Sequence, residues 1–323
     1  MKRVLLTVFA ALLVYTAFVL LSDAPQFADA ISSFDPGWLP VVLGLPLVNY
    51  ALRFLKWQYL LGRTGVRLPA GRSLLVFLAG FSMTVSPGKL GEVLKSCLLR
   101  DGEGIPVSLT SPVVVAERIT DLMSMVLLAV IGAILAGGAG VLPVVAAGVA
   151  ASAAGLALVS SRGLFDRLSG LLCRTRFFGS RRGALETFRE TCAGLLDARS
   201  LLVTVPLGVA SWGAEALVLQ AVSASLGMSL TTGLAILAHS AGTIAGAVSM
   251  IPGGLGLTEL TIGGLLGPAL GRAGAAAVTI VMRFATLWFA VATGLAALAV
   301  ERGRARRGGT VGRADCSSES TRR

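Results

Sequence analysis

The chain has 323 residues, of which 54% are hydrophobic and only 14% charged, with a net charge of +11. Soluble domains carry about 25% charged residues, so a chain this apolar, with a mean hydropathy of +0.80, is read as an integral membrane protein and not as a water-soluble globule. A single histidine, His239, and four cysteines without a CxxC spacing leave no basis for a histidine-built metal centre, a zinc site or a disulfide framework, and no cofactor is expected.

The first apolar run covers residues 4–21 and follows Lys2 and Arg3. It is longer than the ~7–15 residues of a signal-peptide core, so a retained first helix is expected, with its N-terminus inside. The loop 22–37 holds Asp23, Asp29 and Asp35 and no basic residue, which marks the outer face. A second span, 38–61, ends at Arg63, Arg67 and Arg72, a cytosolic loop by the positive-inside rule. The next apolar stretch, 73–85, is too short to cross a bilayer. It stops at Pro87-Gly88 and resumes as 89–100.

Clear spans follow at 111–135 and 141–160, then a segment, 161–200, with eight arginines and four acidic residues, read as cytosolic. Its leucines and phenylalanine at 164–172 have helical spacing, which suits either a helix lying on anionic lipid or an ordinary basic loop. A span at 201–221 leads to an uncharged loop, and 232–266 breaks at Pro252-Gly253-Gly254. The last span, 275–300, runs into a tail from 301 to 323, read as a disordered, basic, cytosolic end rather than a nucleic-acid patch.

The loop charges set the directions. The segment 73–110 starts and ends inside, and 232–266 starts and ends outside, so each is expected to be a re-entrant hairpin broken at its Pro-Gly. The fold class expected is therefore all-α and polytopic, with about six full spans and two re-entrant hairpins. SMTVSPGKLGE at 82–92 resembles SMIPGGLGLTE at 249–259, and the offset of 165 between the prolines also carries Arg118 to Arg283. The two units, about 38–135 and 201–300, have opposite derived orientations, an inverted-topology repeat of the kind transporters build around broken helices. Residues 1–300 form the expected membrane domain.

Ionisable groups inside apolar spans cost about 2.5–3.5 kcal/mol each on insertion scales, so each needs a reason. The cations are Arg53, Lys56, Lys89, Lys95, Arg118 and Arg283; the carboxylates are Glu92, Glu117, Asp121, Glu215 and Glu259. They are expected to neutralise one another around one cavity. Broken helices free backbone groups and point helix N-termini at the break, so Pro87, Gly88 and Gly91 in one loop, and Pro252, Gly253, Gly254 and Gly256 in the other, are candidate headgroup contacts. An anionic headgroup suits that site, with Arg53, Lys89, Arg118 or Arg283 as counter-charges. Alternatively, Arg53 and Lys56 snorkel to the interface beside Trp57 and Tyr59, Lys95 marks the hairpin's return to the cytosol, and Arg118–Asp121 is a purely structural pair. Glu215 pairs with Arg53 or Arg283 on the bland reading. Glu92 and Glu259, just after the breaks, are the carboxylates least easily explained by structure. His239 is expected to be a packing residue.

NYALRFLKW in the second span, PGKLGEVLK and IPGGLGLTE after the two breaks, ERITDL between them and the later Arg283 together resemble the lysylphosphatidylglycerol synthase transmembrane family, also described as flippase-like. The resemblance implies a multi-pass inner-membrane protein that handles lipid, with both termini cytosolic and a separate lipid-modifying enzyme as a possible partner. The aminoacyl-transferase domain of bifunctional members is not expected here, because only about two dozen residues follow the last span. The leading function is translocation or headgroup binding of an anionic phospholipid, polyprenyl-linked or related lipid, without catalysis. The alternatives are a membrane-embedded lipid or glycan transferase working through Glu92, Glu117 or Asp121, and an accessory scaffold.

Overall fold

The computed structural model describes residues 24–86, 92–137, 141–173 and 182–319, and among them the fold is all-helical. The expected first span, 4–21, and the candidate residues Pro87, Gly88, Lys89 and Gly91 lie outside the described residues.

A short helix α1 (Ala24–Ser32) precedes a one-turn 3-10 segment (Pro36–Trp38) and α2 (Leu39–Arg63). Asp35 caps that turn by accepting from the Gly37 N–H at 2.9 Å. The helices α3 (Ala70–Gly80) and α4 (Leu94–Glu103) flank the first break. Helices α5 (Val107–Ala136) and α6 (Leu142–Ser160) follow, then two amphipathic helices, α7 (Arg162–Cys173) and α8 (Arg182–Leu195). The second half holds α9 (Ala198–Ser225), α10 (Thr232–Val248), α11 (Leu257–Arg283), a π-turn (Phe284–Trp288) and α12 (Phe289–Glu319).

Among the described residues, five stretches are long and apolar enough to cross a membrane: Pro36–Arg63, Val107–Ala136, Leu142–Ser160, Ala198–Ser225 and Pro252–Arg304. The chain is an integral membrane protein. The last stretch is not one helix, because Gly271 interrupts it at φ 71° and ψ 167°, which separates an arm at 257–270 from the helix that follows. At ~1.5 Å per residue, the 11 residues of α3 and the 17 of α10 reach about 17 and 26 Å, short of a ~30 Å hydrocarbon layer.

Packing pairs the halves. α9 lies along α2, α10 along α5, and α12 along α3 and the turn after it. Asn49 holds the first contact by donating to the Ser211 carbonyl at 2.9 Å. In the second, a Cβ on Gly132 would sit 2.6 Å from the Leu237 nitrogen. In the third, a Cβ on Gly294 would strike the backbone of Phe81 and Ser82. The glycines are required there because the helix backbones touch.

Candidate functional site

Three helices carry polar or ionisable side chains at mid-length: Tyr50 and Arg53 on α2, Arg118 and Asp121 on α5, and Trp212 and Glu215 on α9. Hydropathy places the middle of each span at the middle of the membrane. There the helices enclose a cavity of ≈ 240 Å³. His239 and Thr243 of α10, Ile251, Gly253 and Gly254 of the second break, Thr84 before the first, and Arg283 and Thr286 complete its wall.

The second break is built by left-handed backbone. Met250, Gly253, Gly254 and Gly256 have φ of 56°, 64°, 65° and 88°. Three of the four are glycine, as that region demands. Gly256 opens α11, and its N–H donates to Glu259 Oε2 at 2.7 Å, so the carboxylate caps the helix that starts at the break. Its other oxygen accepts from Arg283 Nε at 2.7 Å, and Arg283 Nη2 donates to the Gly253 carbonyl, also at 2.7 Å. Val85, two residues before the first break, packs among Leu255, Leu287 and Trp288.

The first half carries a larger network. Arg118 Nη2 lies 3.2 Å from Glu92 and 3.0 Å from Asp121. Asp121 also accepts from Lys56 Nζ at 2.5 Å. Glu92 also faces Lys95 at 3.6 Å and Arg53 at 4.0 Å, and Lys95 reaches Glu117 at 2.5 Å. The Arg53 guanidinium sits between the Phe81 and Trp212 rings, 5.1 Å from each centroid. Stacking of that kind desolvates the guanidinium and holds it flat, with Glu92 at the 4.0 Å limit of an ion pair.

Several expectations change here. Arg53 and Lys56 do not snorkel: they are buried, and Trp57 is not an interfacial anchor, because its indole donates to Ser73 Oγ at 3.0 Å inside the core. A lysine a few turns from a helix end turns inward when a buried carboxylate, here Asp121, offers a hydrogen bond. Lys95 does not mark a return to water either. Its stem packs on Gly80, and its ammonium lies 4.5 Å from the Trp57 ring centroid beside Glu117.

The candidates fall into two shells around the cavity. Arg53, Arg118, Asp121, Glu215, Gly253, Gly254 and Arg283 line it. Glu92 and Glu259 are 1% and 0% exposed and pair with the wall arginines Arg118 and Arg283, while Glu117, also buried and not a wall residue, pairs with Lys95. The carboxylates after the breaks therefore hold cations at the wall and do not themselves face the cavity. Pro252 and Gly256 belong to the break and are not wall residues. His239 is one, although a packing role was expected, and its ring lies 6.3 Å from that of Trp212. Tyr50, Thr84 and Trp212 were not foreseen. A signal for Trp212 exists in the sequence: it stands one turn before Glu215, on the same face of a span. Among the described residues the Tyr50 and Thr84 hydroxyls have no hydrogen-bond partner, so this arginine-rich wall keeps polar groups in reserve.

A family model described as the lysylphosphatidylglycerol synthase TM region matches residues 8–294. No curated protein matches the chain.

Proposed function

The chain belongs to the lysylphosphatidylglycerol synthase membrane-region family, and from that premise we propose that the midplane cavity receives the headgroup of an anionic membrane lipid and moves it between leaflets. The observation that carries this reading is the wall itself. Three guanidiniums, from Arg53, Arg118 and Arg283, converge on one ≈ 240 Å³ space. Charge-assisted bonds from guanidinium to phosphate are among the strongest in a low-dielectric site. The volume suits a phosphate with a small substituent and excludes acyl chains, which would remain in the surrounding hydrocarbon.

An inverted repeat supports translocation over static binding. The pairing of α10 with α5 and of α12 with α3 is what a two-fold axis through the α2–α9 contact would produce. In each half the glutamate after the break pairs with the arginine at the shared offset: Glu92 with Arg118, and Glu259 with Arg283. Helices too short to span, on both sides of each break, suit re-entrant hairpins entering from opposite faces. The basic residues at 63–72 and 162–199 support a cytosolic position for those ends and an inner-membrane location.

The test is movement of acyl-labelled fluorescent phosphatidylglycerol in proteoliposomes, read by dithionite quenching, with native mass spectrometry of the purified protein to identify the lipid it retains. Arg53→Ala is expected to lower the rate at least tenfold while the protein remains inserted and folded. An unchanged rate, or wild-type protein that neither retains nor moves any anionic lipid, overturns the reading.

A further inference from the structure

The two symmetry-related arginines have different partners. Among the described residues Arg283 is the one cation within 4 Å of Glu259, and it also holds the Gly253 carbonyl. Removing it from that position strands a fully buried carboxylate and frees the tip of the second break. Arg118 bridges Glu92 and Asp121, but each of these has a further cation beside it: Lys56 at 2.5 Å from Asp121, and, near Glu92, Arg53 at 4.0 Å and Lys95 at 3.6 Å, which it shares with Glu117. Arg118 is also the most accessible of the three wall arginines, with 21% of its side chain exposed against 8% for Arg53 and 9% for Arg283. Its Nε and Nη2 make no hydrogen bond of good geometry among the described residues.

We infer that Arg118 is the phosphate-binding arginine that changes partner, and that Lys56 is the positioning residue that lets it do so. This rests on the headgroup reading above. When a lipid phosphate enters, the Arg118 guanidinium leaves Asp121 and Glu92 for the phosphate oxygens. Lys56 then neutralises Asp121 alone, and Lys95 and Arg53 neutralise Glu92, so no buried carboxylate is left bare. Without Lys56, Asp121 has Arg118 as its remaining close cation and retains it. Arg283 keeps its contacts throughout and holds the second tip in place. The pseudo-symmetric halves therefore do unlike work: the first exchanges a cation between protein and ligand, and the second provides a fixed wall.

The measurement is phosphatidylglycerol binding to the full chain in zwitterionic-lipid nanodiscs, with inorganic phosphate as a second probe, and thermal unfolding recorded on every variant. Lys56→Met is expected to weaken phosphatidylglycerol binding about tenfold. Lys56→Arg, which keeps a cation at Asp121, retains most of the affinity. Lys56→Met/Asp121→Asn, which removes the pair together, recovers most of the loss. Should Lys56→Met fail to fold, Asp121→Asn alone decides, because it releases Arg118 from one partner and is expected to bind at least as tightly as wild type. Competition by inorganic phosphate identifies the phosphate as the recognised group; its absence at millimolar concentration shows that the lipid must be anchored in the membrane to bind. Wild-type affinity in Lys56→Met, a double variant as weak as the single, or loss of binding in Asp121→Asn overturns the exchange while the headgroup reading stands. Absence of binding by wild type to both probes overturns both.

Discussion

A buried charge is costly to orphan, and the cost depends on how many other partners remain. Arg283→Ala would leave Glu259, 0% exposed, with a backbone N–H and, among the described residues, no cation within 4 Å. Breaking such a pair costs about 3–5 kcal/mol. Arg118→Ala leaves Asp121 with Lys56 and Glu92 with Lys95 and Arg53, so its cost is smaller. Arg63→Ala removes a pair with Asp197 in which both side chains are partly exposed, at 31% and 41%, and it should change stability least. The expected order of melting temperatures in detergent is therefore Arg63→Ala, then Arg118→Ala, then Arg283→Ala as the lowest. A melting temperature for Arg118→Ala at or below that of Arg283→Ala would mean that the lysines do not compensate.

Helices here are set by their ends and their crossings more than by amphipathic stripes. Asp197 begins α9 by accepting from the Ser200 N–H at 2.8 Å. Hydrogen bonding by Ser200, reinforced by Arg63, holds its carboxyl below the ordinary value of 3.8. The unfolded chain thus takes up a proton at a higher pH than the folded one. The stabilisation is complete above the ordinary aspartate value and disappears as pH falls through the depressed one. Asp197→Ala should lower the melting temperature at pH 7, and the variant and wild type should converge in strong acid; a constant gap across that range would exclude a charged cap. At the crossings, Gly132→Ala and Gly294→Ala each place a methyl against a neighbouring backbone, whereas Gly264→Ala meets nothing within 4 Å. The first two are expected to lower folded yield strongly. Gly264→Ala is expected to be neutral or to stabilise by roughly 0.5–1 kcal/mol.

On the scale of the molecule the question is which ends of the spans face which compartment. The inverted-repeat reading puts Ser108, at the start of α5, in the cytosol and Ser229, between α9 and α10, outside. Single cysteines at these positions in a cysteine-free background, exposed to a membrane-impermeant maleimide on intact cells, should label at 229 and not at 108. Labelling at 108 and not 229 would require both hairpins to be redrawn. The exposed apolar faces of α5 and α6, such as Ile134 and Leu142 at 75% and 71% exposure, need hydrocarbon around them wherever the ends lie.

Membrane class, the positions of the five long spans among the described residues, the break at Pro252-Gly253 and the burial of Arg53, Lys56, Glu92, Lys95, Glu117, Asp121, Glu259 and Arg283 were legible in the sequence, because hydropathy and charge are local properties that sum along a helix. The offset joining Arg118 to Arg283 was legible for the same reason, as a repeat in the chain itself. Partner choice was not. Lys56 meets Asp121 across 65 residues and Arg283 meets Glu259 across 24, and any cation in the set satisfies the same counting rule. Nor did position after a break reveal that Glu92 and Glu259 would stand behind the arginines and that His239 would stand in front, since that depends on how each helix is rotated. Rotation is set where backbones touch, at Gly132 on Leu237 and Gly294 on Phe81 and Ser82, and only the packed structure determines those contacts.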